Sequence, residues 1–334
     1  VNTTRTFGAT SSVQYDGNNN QNVTADTYGD LSMSRTGGNR TRTPEAGTIT
    51  IAGDFTLNSN ITWAGNTNNP TVNFAGNITR AGTFNSGTGV YTFNGSSTQT
   101  ISAALTITNC VLNNTSADGL SLAVTHTFTN FTMNAGTVLT LGGTTTAFPT
   151  TTSRTLHATS TVKFIGSGNQ AIPAHTYGHL ITGTGGNKTP ASGTLAVAGD
   201  LIIGDSTTFV GNSNNPTIDV TGNVDIFGTM NMGTGEVSIS GDLNGNADAI
   251  LNLPRTTNGD AMPSVSGSKN INTASTINYN GGGAQTILAI AYGNLTVSGS
   301  GNKTPEAGTL NIAGNFAVSG GTWLGSTNNP DVNI

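Results

Sequence analysis

The chain has 334 residues, of which only 8% are charged and 6% aromatic, with 46 glycines, one cysteine and a formal charge of −5. So few large side chains exclude a wide globular core, and so little net charge excludes the usual disordered class. Cys110 alone excludes an intramolecular disulfide framework, and the absence of a basic patch interleaved with aromatics excludes a nucleic-acid surface. No run approaches the ~18 apolar residues of a membrane span.

In chain order, a first strand is predicted around Val13 and Tyr15, followed by Gly17, Gln21 and the tyrosine-glycine pair at Tyr28. Pro44 closes a GN…TP stretch, and an alternating run through Ile49 and Ile51 ends at Ala52-Gly53-Asp54. Phe55 and Leu57 continue the alternation, Trp63 precedes the NNP of Pro70 by seven residues, and Val72 and Phe74 lead to Ala75-Gly76-Asn77. Period two with Gly-Asx punctuation every ~20 residues predicts short strands and tight turns, and sustained helical periodicity is absent. The run of threonines at Thr144–Thr146 and Thr150–Thr152 reads as a loop, too irregular for a flat ice-binding array. From there the pattern restarts: Phe164, Tyr177, Pro190, Ala198-Gly199-Asp200, Phe209 and Pro216, and again Tyr279, Tyr292, Pro305, Trp323 and Pro330.

Tyr28, Tyr177 and Tyr292 are therefore one position in three copies, offset by 149 and 115 residues. A shorter motif, aromatic-x-Gly-x-x-x-Gln, occurs four times, at Tyr15/Gln21, Phe93/Gln99, Phe164/Gln170 and Tyr279/Gln285. Its glutamine is expected to satisfy turn backbone or to ladder with a neighbour, and the abundant asparagines to bond coil to coil. The fold class is all-β: a parallel β-solenoid, right-handed by the general rule for parallel crossovers, of roughly 15 short coils and about 70 Å long. Tandem β-sandwiches are the alternative, disfavoured because copies of 149 and 115 residues are too unequal to be equivalent sandwiches. One continuous array, 1–334, is expected, with long repeats at 1–149 (including an extra coil), 150–264 and 265–334, the last truncated. The interval from Pro70 to Phe164 in the first copy is longer than the matching interval from Pro216 to Tyr279 in the second, and the surplus reads as about one coil with a loop. Residues 6–13 align with 155–162, so the chain reads as a segment of a longer array.

The phrases FNGSSTQTI at Phe93–Ile101, YNGGGAQTI at Tyr279–Ile287, YGNL at Tyr292–Leu295, TPEAGTL and NIAGNF resemble repeats of very large secreted surface proteins of Bacteroidota, including adhesin-like proteins. The resemblance implies an extracellular, β-rich, fibrous or stalk-like protein and carries no catalytic residues.

Candidate chemistry is sparse. His175 and His179 have the i, i+4 spacing of a helical metal site but lie in a strand-turn context, and the matching residues are Asp26 and Asp30, then Ile290 and Asn294. A surface position that varies among copies is the expectation, with no metal and no cofactor assigned. Structural calcium is the one ion left open, although the nonapeptide calcium-roll pattern is missing. Trp63, Phe209 and Trp323 occupy one repeat position where exposed rings would stack on sugars, or where inward rings would fill the core. Tyr28, Tyr177 and Tyr292, with Gln21, Gln99, Gln170 and Gln285, serve as structural repeat markers. Asp205, Asp219, Asp225, Asp242, Asp248 and Asp260 are too dispersed for a polysaccharide-degrading site, so no enzyme is expected. Sequons at Asn60, Asn77 and Asn302 allow surface glycosylation. The expected function is a structural segment of an extracellular bacterial fibre, stalk or adhesin. Its expected partners are other copies or flanking repeats joined end to end, with surface glycans as the alternative.

Overall fold

The computed structural model describes residues 7, 8, 10–35, 37–256 and 261–334. Positions 6 and 9 of the N-terminal alignment, and Asp260, lie outside the described residues. Strands make up 48% of the structure and helix 2%, and the strands stack in parallel as a β-solenoid of about 15 turns. The chain divides into two compact units, Val1–Val162 and Lys163–Ile334.

Three faces wall the first four turns of the first unit. One stacks Ser12–Tyr15, Asp30–Met33, Phe55–Leu57 and Ile78–Arg80; the second stacks Gln21–Val23, Arg40–Pro44, Ile61–Ala64 and Thr83–Asn85. The third runs from Thr27–Tyr28 through Thr48–Ile51, Thr71–Phe74 and Val90–Phe93 to Thr106–Leu112, Thr127–Met133 and Ser153–Leu156. Each strand pairs with the equivalent strand one turn later, so that Ser12 faces Asp30 and Ile49 faces Val72. Thr106–Leu112 and Thr127–Met133 are each seven residues long, and the turns they belong to have two strands in place of three. The surplus of the first copy includes these two-strand turns, and within it residues 142–152, which carry the threonine runs, are almost without strand.

Alternation along each strand dictates the core. In Thr48–Ile51 the isoleucines are buried while the threonines face outward, and the same pattern recurs in Asp30–Met33 and Thr71–Phe74. Stacking turns in register places like on like, so Phe74 and Phe93 are register partners with ring centroids 5.6 Å apart, and Phe55 packs against Phe74 from another face at 5.5 Å to complete a ring column. Each such ring contributes about 1.5–3 kcal/mol by leaving water. The column is possible because β-branched and aromatic side chains fit a pleated wall that encloses little volume.

The second unit repeats this construction, with one face whose inward residues are aliphatic. Leu180, Leu201, Val224 and Leu243 are register partners on one face and fully or almost fully buried. Its turns vary in length along this face, from 19 residues between Val224 and Leu243 to 26 between Leu243 and Lys269. The long repeats are not in phase with the turns. Gln170–Ile172 starts a sheet whose later members are Asn187–Pro190, Thr208–Val210, Thr229–Asn231 and Ile250–Leu253. The third copy enters this sheet with Thr276–Tyr279, whereas Gln285–Ile287, the counterpart of Gln170–Ile172, begins the next face. The offset between the second and third copies therefore equals five turns and one strand.

One core polar group has a pH consequence. His126 is 1% exposed; its Nδ1 accepts the Leu105 N–H at 3.1 Å, and Nε2 has no acceptor within the protein. Acceptance at Nδ1 puts the ring proton on Nε2, and burial pushes the imidazole pKa down from 6.5 to about 4. The unfolded chain takes up a proton as pH falls through 6.5 while the native state stays neutral, so this stability is complete above 6.5 and lost toward pH 4. Urea unfolding is expected to show a loss of about 3 kcal/mol across that window. In His126→Gln the acid slope should flatten, and an unchanged slope would exclude His126 as its source.

Candidate functional site

The repeated motifs converge on the corners where one face bends into the next. At the Gly-Asx corner, each Asx accepts the backbone N–H of the residue at the same corner one turn later. In the first unit Asp30 Oδ1 accepts from Asp54 at 2.8 Å, Asp54 from Asn77 at 2.7 Å, and Asn77 from Thr100 at 2.9 Å. In the second, His179 Nδ1 accepts from Asp200 at 3.0 Å, Asp200 Oδ1 from Asn223 at 2.9 Å, Asn223 from Asp242 at 2.9 Å, and Asp242 from Ser268 at 2.7 Å. A separate ladder starts with Asn294, which accepts from Asn315 at 2.9 Å.

Asp30, His179 and Asn294 hold one partly exposed position that varies among the copies, yet each plays the same role there. Aspartate, imidazole and amide differ in charge and shape but share an acceptor at the required reach, and the acceptor is what the corner uses. His179 is committed to this ladder, and the His175 ring lies edge-on to Tyr177, with centroids 6.0 Å apart. Among the described residues no group of three His, Cys, Asp or Glu side chains is placed to hold a metal ion.

The TP and NNP motifs interlock at a second corner. Asn68 Nδ2 donates to the Pro44 carbonyl, Asn214 to Pro190 and Asn328 to Pro305, each at 2.8 Å. The next asparagine is left-handed in all three copies, with φ of 49° at Asn69, 46° at Asn215 and 45° at Asn329. Asparagine tolerates that backbone better than most side chains. Asn69 Oδ1 then accepts from Thr88 at 2.8 Å and Asn215 Oδ1 from Thr234 at 2.9 Å.

The third corner is the aromatic-x-Gly-x-x-x-Gln turn. Gln21, Gln99, Gln170 and Gln285 accept the N–H of Gly17, Gly95, Gly166 and Gly281 at 2.9–3.0 Å. Gln99 Nε2 also donates to the Phe74 and Gly76 carbonyls, and Gln285 Nε2 to those of Leu253 and Arg255. A Cβ on Gly17 or Gly281 would meet the glutamine amide at 2.7 Å, which is why glycine precedes glutamine by four. Tyr28, Tyr177 and Tyr292 donate to the carbonyl four residues earlier, that of Thr24, Pro173 and Leu288, at 2.8–2.9 Å. Burial raises the phenol pKa of Tyr28 and Tyr292.

The same corner hides three buried cations. Arg42, Lys188 and Lys303 all stand two residues before the TP proline and are fully buried. Lys188 Nζ donates to the carbonyls of Gly166 and Gly168 at 2.5 and 2.9 Å. Lys303 Nζ donates to those of Gly281, Gly283 and Ser300 at 2.7–2.8 Å. Arg42 holds Gly17 and Asn19 likewise. Burial lowers all three pKa values, that of Lys188 to about 8. The recurring cation before TP was the available signal.

Trp63 and Phe209 are fully buried and offer no face to a sugar, so the core-filling alternative describes them. Trp63 Nε1 donates to the Tyr91 hydroxyl at 3.2 Å, and Trp323 packs edge-on to Phe316 at 5.0 Å. Of the dispersed aspartates, Asp219 accepts from Ser238 Oγ and Asp225 from Asn244 Nδ2, each inside an outward ladder. Asp205 and Asp248 are brought to one groove of about 940 Å³, together with Phe227. Outward amides do run coil to coil, as in Asn231, Asn252 and Asn278, with contacts of 2.6 and 3.0 Å. Among the described residues no helix is long and apolar enough to cross a membrane. No family model, curated protein or solved structure matches the chain.

Proposed function

We propose that this chain is a structural repeat segment of an extracellular bacterial fibre, stalk or adhesin. The observation that carries the reading is where its chemistry goes. Repeated groups that could bind or react, namely Gln99, Gln285, Lys188, Lys303, Tyr28 and Tyr292, are bonded to the backbone of the wall. A protein that commits its motifs to holding one turn on the next has its work in persistence of form. The resemblance of FNGSSTQTI and YNGGGAQTI to surface-protein repeats supports the extracellular setting, and parallel coil edges suit end-to-end contact with flanking repeats. The scaffold needs neither a cofactor nor catalysis.

The test is labelling of source cells with antibody raised against residues 163–334. Labelling of intact cells, on filaments or a surface layer, is the expected result. Labelling that appears only after permeabilisation would overturn the extracellular assignment.

A further inference from the structure

A groove in the second unit lies beside Phe227. Ile203 and Thr208 are joined by four residues, Gly204–Thr207, and Gly245 and Ile250 by another four, Asn246–Ala249. Between these turns lies a connection of only two, Phe227 and Gly228. A short turn flanked by longer ones leaves a notch, whose floor carries Phe227 and whose two sides carry Asp205 and Asp248.

The ring is not there for the turn. In the first unit the equivalent connection is Ala81-Gly82, and the backbone geometry is the same. Ala81 and Gly82 donate to the Leu57 carbonyl at 2.7 and 3.1 Å, and Phe227 and Gly228 donate to that of Ile203 at 2.7 and 3.2 Å. Alanine therefore suffices for the fold, yet Phe227 stands 41% exposed.

From this we infer that the notch binds a neutral carbohydrate chain. Its three demands on a ligand differ. The phenyl face asks for an apolar surface of C–H groups, the carboxylates of Asp205 and Asp248 ask for hydroxyl donors, and the neutral side chains of Ser206, Thr229 and Asn272 on the same lining offer donors as well as acceptors. A sugar ring supplies all three. An ammonium group would satisfy the ring and the carboxylates but has no acceptor for the hydroxyl and amide donors of that lining, and anionic polymers are repelled by the two carboxylates.

An array of neutral oligosaccharides, including gluco-, xylo-, manno- and galacto-configured chains, tests this with the whole chain. Binding of at least one neutral glycan is expected, with affinity at least tenfold weaker in Phe227→Ala, several-fold weaker in Asp248→Asn, and retained in Phe227→Trp. Trp323→Ala should bind as the unaltered chain does. Because Ala81 occupies the equivalent turn, Phe227→Ala is expected to keep its circular dichroism and melting temperature. Absence of binding to every neutral glycan, binding that survives Phe227→Ala, or stronger binding of choline or a trimethyllysine peptide would each overturn the assignment.

Discussion

Gly222→Ala is expected to destabilise the protein by about 4 kcal/mol, an unusually large loss for one methyl group. An added Cβ would lie 2.5 Å from both the Gly199 carbonyl oxygen and Asp200 Oδ1. The first of these is backbone of the preceding turn, already held by the Gly222 N–H at 3.0 Å, so neither partner can yield without separating two coils. Equilibrium unfolding in urea measures the loss. Combining the change with Asp200→Ala should not restore stability, because the clash with the carbonyl persists. Gly142→Ala is the control: its nearest neighbours are side-chain atoms 3.9 and 4.0 Å away, and a change within about 0.5 kcal/mol is expected. Equal losses at the two positions would mean that close approach between turns is not what selects glycine.

Lys303→Met should cost about 3–4 kcal/mol, measured the same way. Methionine preserves most of the side-chain volume but removes the donors that hold Gly281, Gly283 and Ser300. Buried carbonyls left without partners lose about 1–3 kcal/mol each, offset in part by no longer desolvating an ammonium group. Lys188 bonds two such carbonyls, so Lys188→Met is expected to lose less. A near-neutral result at Lys303 would mean that the charge costs as much to bury as its hydrogen bonds return.

The all-β solenoid and its short turn were legible because alternation and Gly-Asx punctuation are local signals. The glutamine motif was legible in its role as well, since a fixed spacing to glycine implies a fixed contact. The Gly-Asx ladder was hidden where Asp30, His179 and Asn294 stand in for one another. Residue type changes there while the only shared property, an acceptor one turn below a backbone N–H, belongs to three dimensions. Arg42, Lys188 and Lys303 were hidden for a related reason: KTP and RTP look like exposed polar stretches until the preceding turn's carbonyls are seen around them. The Phe227 notch depends on comparing the lengths of turns that are neighbours only after folding.

A repeat length of five turns and one strand acts like the pitch of a screw thread. Asn187 and Asn302, exposed and equivalent in sequence, belong to different sheets of the second unit. Anything attached at such a position, a glycan on the Asn-Lys-Thr sequon for example, would step around the axis from copy to copy instead of forming a row. A stiff ligand could then meet only one copy of a given outward group, whereas a flexible polymer could wind past several and gain avidity without any single contact becoming stronger.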